Sequence, residues 1–328
     1  MKAVLVEEGT SQLYIGQAED PVPGEEDLLV SVEATALNRA DLLQRRGKYP
    51  PPAGASTILG LEMAGIVEKV GSNVTRWKVG DRVCALLPGG GYAQKVVIPA
   101  GMAISIPDDF SFEQASAIPE AFLTAYLNLV VLGRVSPGDY VLIHAAASGV
   151  GTAAIQLVKE MGAIPIATAG SKEKLQVCQR LGAEHVIDYK EEDFSQKVAE
   201  ISGGKGVQVI LDPVGASYWE KNLQSIGVDG RWLVIGGMGG YQLEQVNLQL
   251  LMRKRIHLIG STLRSRTEPN KMELTQAFLS FAEERFKSDK IVPVIDRVFP
   301  WAQAMEAHEY MEQNKNIGKV VLRIDQNL

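Results

Sequence analysis

Seven small residues, Ala145-Ala-Ala-Ser148-Gly149-Val150-Gly151, follow the apolar, strand-like segment Tyr140 to His144. They open a helical pattern that runs from Gly149 to Met161 and stops at Gly162. A strand, a tight turn without side-chain bulk and a helix N-terminus make an anion site. First-turn N–H groups have no intrahelical partner, and the helix dipole favours negative charge. Small residues also let the backbone approach a pyrophosphate. Set against the glycine fingerprint of dinucleotide sites, Ala146 and Ser148 stand at the first two glycines and Gly151 at the last. The turn alone reads equally well as a packing turn. Its flanking strand–helix alternation favours nucleotide binding, with Ser148, Gly149 and Val150 as contacts.

The choice of nucleotide turns on the end of the next strand, Ala169-Gly170-Ser171-Lys172-Glu173-Lys174. A site for NAD expects an acid there to bind the ribose hydroxyls. Gly170 and Ser171 occupy that position instead, so no carboxylate repels a 2′-phosphate. Lys174 can fold back over the helix start and offer a charge-assisted contact. Lysines 172 and 174 read otherwise as solvated helix charges, and Glu173 weighs against a phosphate. The balance predicts NADPH.

The elements that must hold these residues alternate. Ile164 to Ala169, His185 to Asp188, Val207 to Asp212, Trp232 to Gly236 and Ile256 to Gly260 read as strands, with helical segments between, including Lys172 to Leu181 before Gly182. This rhythm predicts an α/β domain with a doubly wound parallel sheet. The first third is β-rich. Met1 to Val6, Leu28 to Ala36, Ala64 to Gly71 and Asp81 to Leu87 are short strand-like runs with Gly-rich punctuation, which suggests an irregular barrel. Pro50 to Pro52 mark a loop. Beyond residue 262 a long helical pattern precedes strand-like segments at Val292 to Val298 and Lys319 to Ile324, read as a return to the first domain.

Composition bounds the partners. The chain has 328 residues, enough for two domains, with 46% hydrophobic and 22% charged residues, which excludes dominant disorder. A net charge of −6 and the lack of a sustained basic stripe argue against nucleic acid as the main partner. Two cysteines make neither a disulfide framework nor a four-cysteine zinc site, so a reducing, cytoplasmic setting is expected. The opening apolar run is short and meets Glu7 and Glu8, which predicts a strand rather than a secretory core. No stretch approaches 18 apolar residues, and no membrane association is expected.

Several longer stretches carry a family likeness: Ala36-Leu-Asn-Arg-Ala-Asp-Leu, Gly47-Lys-Tyr-Pro-Pro-Pro-Ala-Gly-Ala-Ser, Leu86-Leu-Pro-Gly-Gly-Gly, Ser148-Gly-Val-Gly-Thr-Ala-Ala-Ile-Gln-Leu, Ser217-Tyr-Trp-Glu-Lys-Asn and Asn314-Lys-Asn-Ile-Gly-Lys. Over essentially its whole length the chain resembles the zinc-independent quinone oxidoreductases of the medium-chain dehydrogenase/reductase superfamily. The p53-inducible branch is nearer than the zeta-crystallin branch. The resemblance implies a GroES-like catalytic domain from residues 1–121 and 263–328. It implies a Rossmann domain from residues 122–262, with NADPH in the cleft. It also implies homodimers, or higher oligomers, through Rossmann-sheet edges, with Ile256 to Leu263 as the edge strand. Alcohol dehydrogenases of the superfamily place a zinc-binding Cys where this chain has Asn38 and a His-Glu pair where it has Leu61-Glu62, so no metal is expected. Cys84 reads as a core residue, and His144 as a satisfied structural histidine.

The resemblance further implies that Tyr49 lines the quinone pocket and that Ser148 contacts NADPH or assists catalysis. The plainer readings are a loop anchor and a small turn residue. Asn38, Thr124 (read as lying at a helix start), Tyr189, Gly237, Met238, Leu263 and Asn316 complete the expected cofactor contacts. Glu62 is read as architectural. The expected activity is metal-free, NADPH-dependent reduction of a small-molecule quinone, by hydride transfer or through a semiquinone. A quinone needs no Lewis acid to accept reducing equivalents, whereas alcohol–ketone exchange does. An enone reductase with Tyr49 as proton donor, and a non-enzymatic NADPH-binding crystallin-like or RNA-binding protein, stay open at this level.

Overall fold

The computed structural model describes residues 1–327. The chain divides into two compact units, residues 1–123 with 263–328 and residues 124–262.

In the contiguous unit six strands line up parallel, the inner ones apolar and buried on both faces. The order is His185–Asp188, Ile164–Ala169, Tyr140–Ile143, Val207–Asp212, Ile226–Val234, His257–Gly260. Counted along the chain this is 3-2-1-4-5-6, the doubly wound arrangement, and its switch point falls between Tyr140–Ile143 and Val207–Asp212. Helices Gly149–Glu160, Lys172–Leu181 and Phe194–Ile201 cross between strands. Leu142, Ile166, Ile210, Phe194, Leu223 and Trp232 pack in one core, with the Trp219 and Trp232 rings 4.7 Å apart. Because the strands are parallel, their carboxyl ends share one edge of the sheet.

Two sequence expectations are corrected here. The strand expected from Trp232 begins at Ile226. Gly227 and Gly230 bracket Asp229 at φ +60°, and the pairing with Val207–Asp212 shifts register at this point, so the strand is kinked rather than broken. Thr124 is the sixth residue of the helix Pro119–Tyr126, not its start; Pro119 supplies the helix opening.

In the other unit both ends of the chain enter one seven-stranded sheet. Its order is Ile295–Pro300, Lys319–Arg323, Asp27–Ala36, Glu62–Val70, Arg82–Leu86, Ile104–Ser105, with Lys95–Pro99 pairing Asp27–Ala36 off this path. Val321 lies opposite Ala36, so the last strand completes a sheet begun some 300 residues earlier. The opening strand Lys2–Val6 stays outside that sheet. It pairs with Leu13–Gln17 and touches the rest through a bridge from Ala3 to Ala93. The long helix is Glu268–Lys287, and its phenylalanines Phe278 and Phe286 pack on Phe122. Among the described residues no helix is long and apolar enough to cross a membrane.

Candidate active site

The turn after Tyr140–Ile143 sits at the switch point and is built to keep its backbone open. Ala145 takes φ +47°, reversing the chain. Ser148 caps the helix Gly149–Glu160, its Oγ accepting from Gly151 N at 3.1 Å. A Cβ on Gly151 would lie 2.5 Å from Ala146 O and 2.6 Å from Ala145 O, so glycine is required there. The N–H groups of Gly149 and Val150 face no acceptor among the described residues. Two open N–H groups at the start of a twelve-residue helix form a cradle for an anion.

The next strand end gathers a second group. Ser171 caps Lys172–Leu181, accepting from Lys174 N at 3.4 Å. The Tyr189 hydroxyl lies over Gly170, where a Cβ would approach it to 2.7 Å, and Lys190 Cε would come within 2.9 Å of the same point. Gly170, Tyr189 and Lys190 therefore share one spot, with Ser171 and Lys174 following directly in the chain. Lys190 was not singled out from the sequence; only the folding of Tyr189 back onto Gly170 brings it there. Gly237 and Met238 follow the strand Ile226–Val234. Tyr241 packs on Gly237, and Met238 N donates to Pro213 O at 3.1 Å, leaving the Met238 side chain exposed. Thr124 O accepts from Asn128 Nδ2 at 2.8 Å.

Beneath the sheet edge a buried polar network holds these loops. Asp212 Oδ1 accepts from Val214 N and Gly215 N at 2.7 and 2.9 Å, while Oδ2 accepts from Asn222 Nδ2 and Trp232 Nε1, each at 3.0 Å. Asn222 Oδ1 must then accept from His144 Nε2 at 2.7 Å, and His144 Nδ1 meets Thr168 Oγ1 at 3.0 Å. The Asn222 amide therefore fixes the His144 tautomer, with the proton on Nε2. Burial pushes its pKa down, so it stays neutral. His144 is structural, as its sequence context suggested.

The discontinuous unit holds the other predicted residues and a cluster the sequence did not reveal. Glu62 is fully buried. Its Oε1 accepts from Lys319 Nζ at 2.7 Å and Asn38 Nδ2 at 2.9 Å, and its Oε2 from Glu120 N at 2.8 Å. Lys319 Nζ also donates to Leu37 O and Asn38 Oδ1, both at 2.7 Å. Three ammonium protons thus meet three acceptors. An ammonium, an amide and a carboxylate satisfy one another at this point. Asn38 Nδ2 also donates to Ala36 O at 3.2 Å, which commits both its N–H groups inside the unit. Asp41 accepts from Asn38 N and Gly60 N at 2.7 and 3.0 Å, yet burial raises its pKa to about 6. Glu120 goes further. Burial and the neighbouring Glu62 carboxylate raise it to about 8, and its Oε2 is enclosed without a partner.

Tyr49, on the exposed loop before Pro50, lies with its ring 5.3 Å from the Arg264 guanidinium carbon. Leu263 is buried, and Asn316 Nδ2 donates to Gly318 O at 2.8 Å. Lys319, Glu120 and Arg264 are the candidates sequence reasoning missed. Gly318-Lys319 lay within the Asn314–Lys319 stretch that carried the family likeness, so Lys319 could have been suspected. Nothing local marks Glu120 or Arg264, because their burial comes from distant parts of the chain.

Cofactor-type turns on a 3-2-1-4-5-6 sheet, with a β-rich unit built from both chain ends, define a two-part nucleotide-dependent dehydrogenase architecture. Two family models match: "Alcohol dehydrogenase GroES-like domain" over residues 24–108 and "Zinc-binding dehydrogenase" over residues 149–280. Quinone oxidoreductase 1 of Escherichia coli is 36% identical over 305 residues, 92% of each chain. A structure of Escherichia coli quinone oxidoreductase complexed with NADPH superposes with a TM-score of 0.88 at 33% identity, covering 98% of this chain and 99% of that one. The enoyl reductase CurK gives 0.88 at 28% identity, with 99% of each chain covered. The chain belongs to the medium-chain dehydrogenase/reductase superfamily, among its quinone-oxidoreductase-like members.

Proposed function

We propose that the protein is an NADPH-dependent quinone reductase that works without a metal. The observation that carries the reading is the pair of nucleotide cradles on one sheet edge. Gly149 and Val150 offer open N–H groups above a turn that only glycine at 151 permits. Gly170 is overlain by Tyr189 and Lys190 where an NAD site would place an acid. These residues fit a dinucleotide with a 2′-phosphate: Ser148, Gly149 and Val150 for the pyrophosphate, Ser171, Lys174 and Tyr189 for the phosphorylated ribose. Gly237, Met238, Thr124, Asn38, Leu263 and Asn316 complete the assigned contacts, and the domain reading of residues 122–262 as the nucleotide-binding part belongs to the same proposal. NADPH supplies the reducing equivalents when bound. The structure of a quinone oxidoreductase complexed with NADPH among the relatives supports the cofactor.

The donor set at Glu62 and Asn38 does not suit zinc. A Lys319 ammonium holds both Glu62 and Asn38, and neither an amide nor an ammonium is a good zinc ligand. Tyr49 is assigned to the substrate pocket, where an aromatic body with a polar tip suits a quinone. Within the family we place the chain in the p53-inducible branch, on the stretches beginning at Gly47 and Ser148. The test is NADPH oxidation with 9,10-phenanthrenequinone, run beside NADH and with a chelator. Rapid, chelator-insensitive turnover that prefers NADPH is expected. Tight NADPH binding without turnover overturns the reading in favour of a non-enzymatic role. Similarity to the enoyl reductase CurK favours a second reading, an enone reductase. Faster turnover of an enone than of the quinone would select it.

A further inference from the structure

We propose that Arg264 is the positioning residue that makes Tyr49 a proton donor, an inference that rests on the quinone-reductase reading above. Arg264 is buried, and three contacts fix its guanidinium. Nε and Nη2 donate to Pro88 O at 2.9 and 2.7 Å, and Nη2 donates to Gln44 Oε1 at 2.7 Å. All three acceptors are neutral. Nη1 is enclosed and meets no acceptor among the described residues. Asp41 and Glu120 act on the guanidinium through space, and neither pairs with it. Its charge is therefore not cancelled locally. Lys319 differs, since its ammonium is taken up by Glu62 and Asn38; so does Arg45, which pairs with Glu312 at 2.7 Å. The central carbon of this uncompensated cation lies 5.3 Å from the Tyr49 ring centre.

A fixed positive charge in a low-dielectric setting favours the ionised form of a neighbouring acid. Bound NADPH would supply a hydride, that is two electrons and one proton, which would leave the quinone as a hydroquinone monoanion. The Tyr49 O–H bond breaks, its proton forms the second O–H bond of the hydroquinone, and the phenolate is held against Arg264 until water reprotonates it. Arginine suits this role because its planar cation stacks on a ring and keeps its charge at every working pH.

The test compares wild type, Tyr49→Phe, Arg264→Gln, Arg264→Lys and the Arg264→Gln/Tyr49→Phe double variant. Arg264→Gln is expected to lower kcat with 9,10-phenanthrenequinone on the order of 100-fold, the usual worth of a positioned proton donor. Arg264→Lys should recover part of that loss. Adding Tyr49→Phe to Arg264→Gln should cost nothing further, because the two act as one unit. A readout independent of turnover is tyrosinate absorbance at 295 nm, taken as wild type minus Tyr49→Phe. The Tyr49 signal should appear at lower pH in Arg264→Lys than in Arg264→Gln. NADPH affinity and melting temperature report whether each variant folds. Unchanged kcat in Arg264→Gln, independent multiplicative losses, or a Tyr49 titration indifferent to residue 264 each overturn the proposal. If wild type reduces no quinone, the functional reading fails, and the titration still decides the pairing.

Discussion

At the scale of single residues, charge is handled in two ways. The Lys190 side chain lies beside Gly170, Lys174 follows four residues after it in the chain, and the use proposed for them is selective. Lys174→Glu is expected to weaken NADPH far more than NADH, and Lys190→Ala to do the same more mildly, measured as dissociation constants by fluorescence titration. Equal losses for the two nucleotides would remove the phosphate role. Lys319 is instead a structural cation. Removing it leaves Glu62 buried without its countercharge, so Lys319→Met should lower unfolding free energy by about 3–5 kcal/mol, and the Lys319→Met/Glu62→Gln double variant should recover much of it. His308 illustrates burial acting on a neutral base. Its Nε2 lies 3.0 Å from the Tyr92 hydroxyl, and desolvation, aided by Arg45 and Arg46, lowers its pKa to about 3. Below pH about 6.5 the unfolded chain takes up a proton that the folded protein refuses, so stability falls by about 1.4 kcal/mol per pH unit for this group. Glu120, raised to about 8, and Asp41, raised to about 6, take up protons in the folded state and oppose that slope. The stability of His308→Gln relative to wild type should therefore rise as pH falls from 6.5 to 5, measured by denaturant titration at each pH.

At the scale of elements, the turn assigned to the nucleotide was the most legible feature because the pattern that builds it is local. Small residues, a cap and a helix start are contiguous in sequence, and the helix Lys172–Leu181 and strand His185–Asp188 fall where periodicity and Gly182 put them. Gly151→Ala tests the turn. Its methyl group would press on the Ala146 carbonyl, so NADPH affinity should fall by an order of magnitude or more while quinone-independent folding signals persist. An affinity equal to wild type would mean that the turn relaxes freely. The strand Ile226–Val234 starts earlier than its apolar run from Trp232 predicted, because Ile226 pairs with Val207 across a register shift that no local pattern announces. The buried cluster of Asp41, Glu62, Glu120, Arg264 and Lys319 was largely illegible. Its members lie on five separate segments, and no local pattern distinguishes a buried Glu120 from an ordinary acid in a first helical turn.

At the scale of the whole molecule, the strand His257–Gly260 ends the parallel sheet with one side unpaired and Leu258 half exposed. This is the edge through which the expected homodimer is proposed to form. Leu258→Lys should then lower the mass seen in sedimentation toward one chain, whereas an unchanged mass would place the contact elsewhere. The division into a contiguous and a discontinuous unit has a consequence during synthesis. Residues 124–262 are complete as soon as they leave the ribosome and can fold at once. The sheet around Asp27–Ala36 lacks its partner Lys319–Arg323 until almost 300 further residues have been added. At roughly 5–20 residues per second that delay is on the order of 15–60 s. Throughout it, the edge at residues 34–36 waits unpaired, so a chaperone acting on the nascent chain is expected to find its target there until residues 321–323 close it.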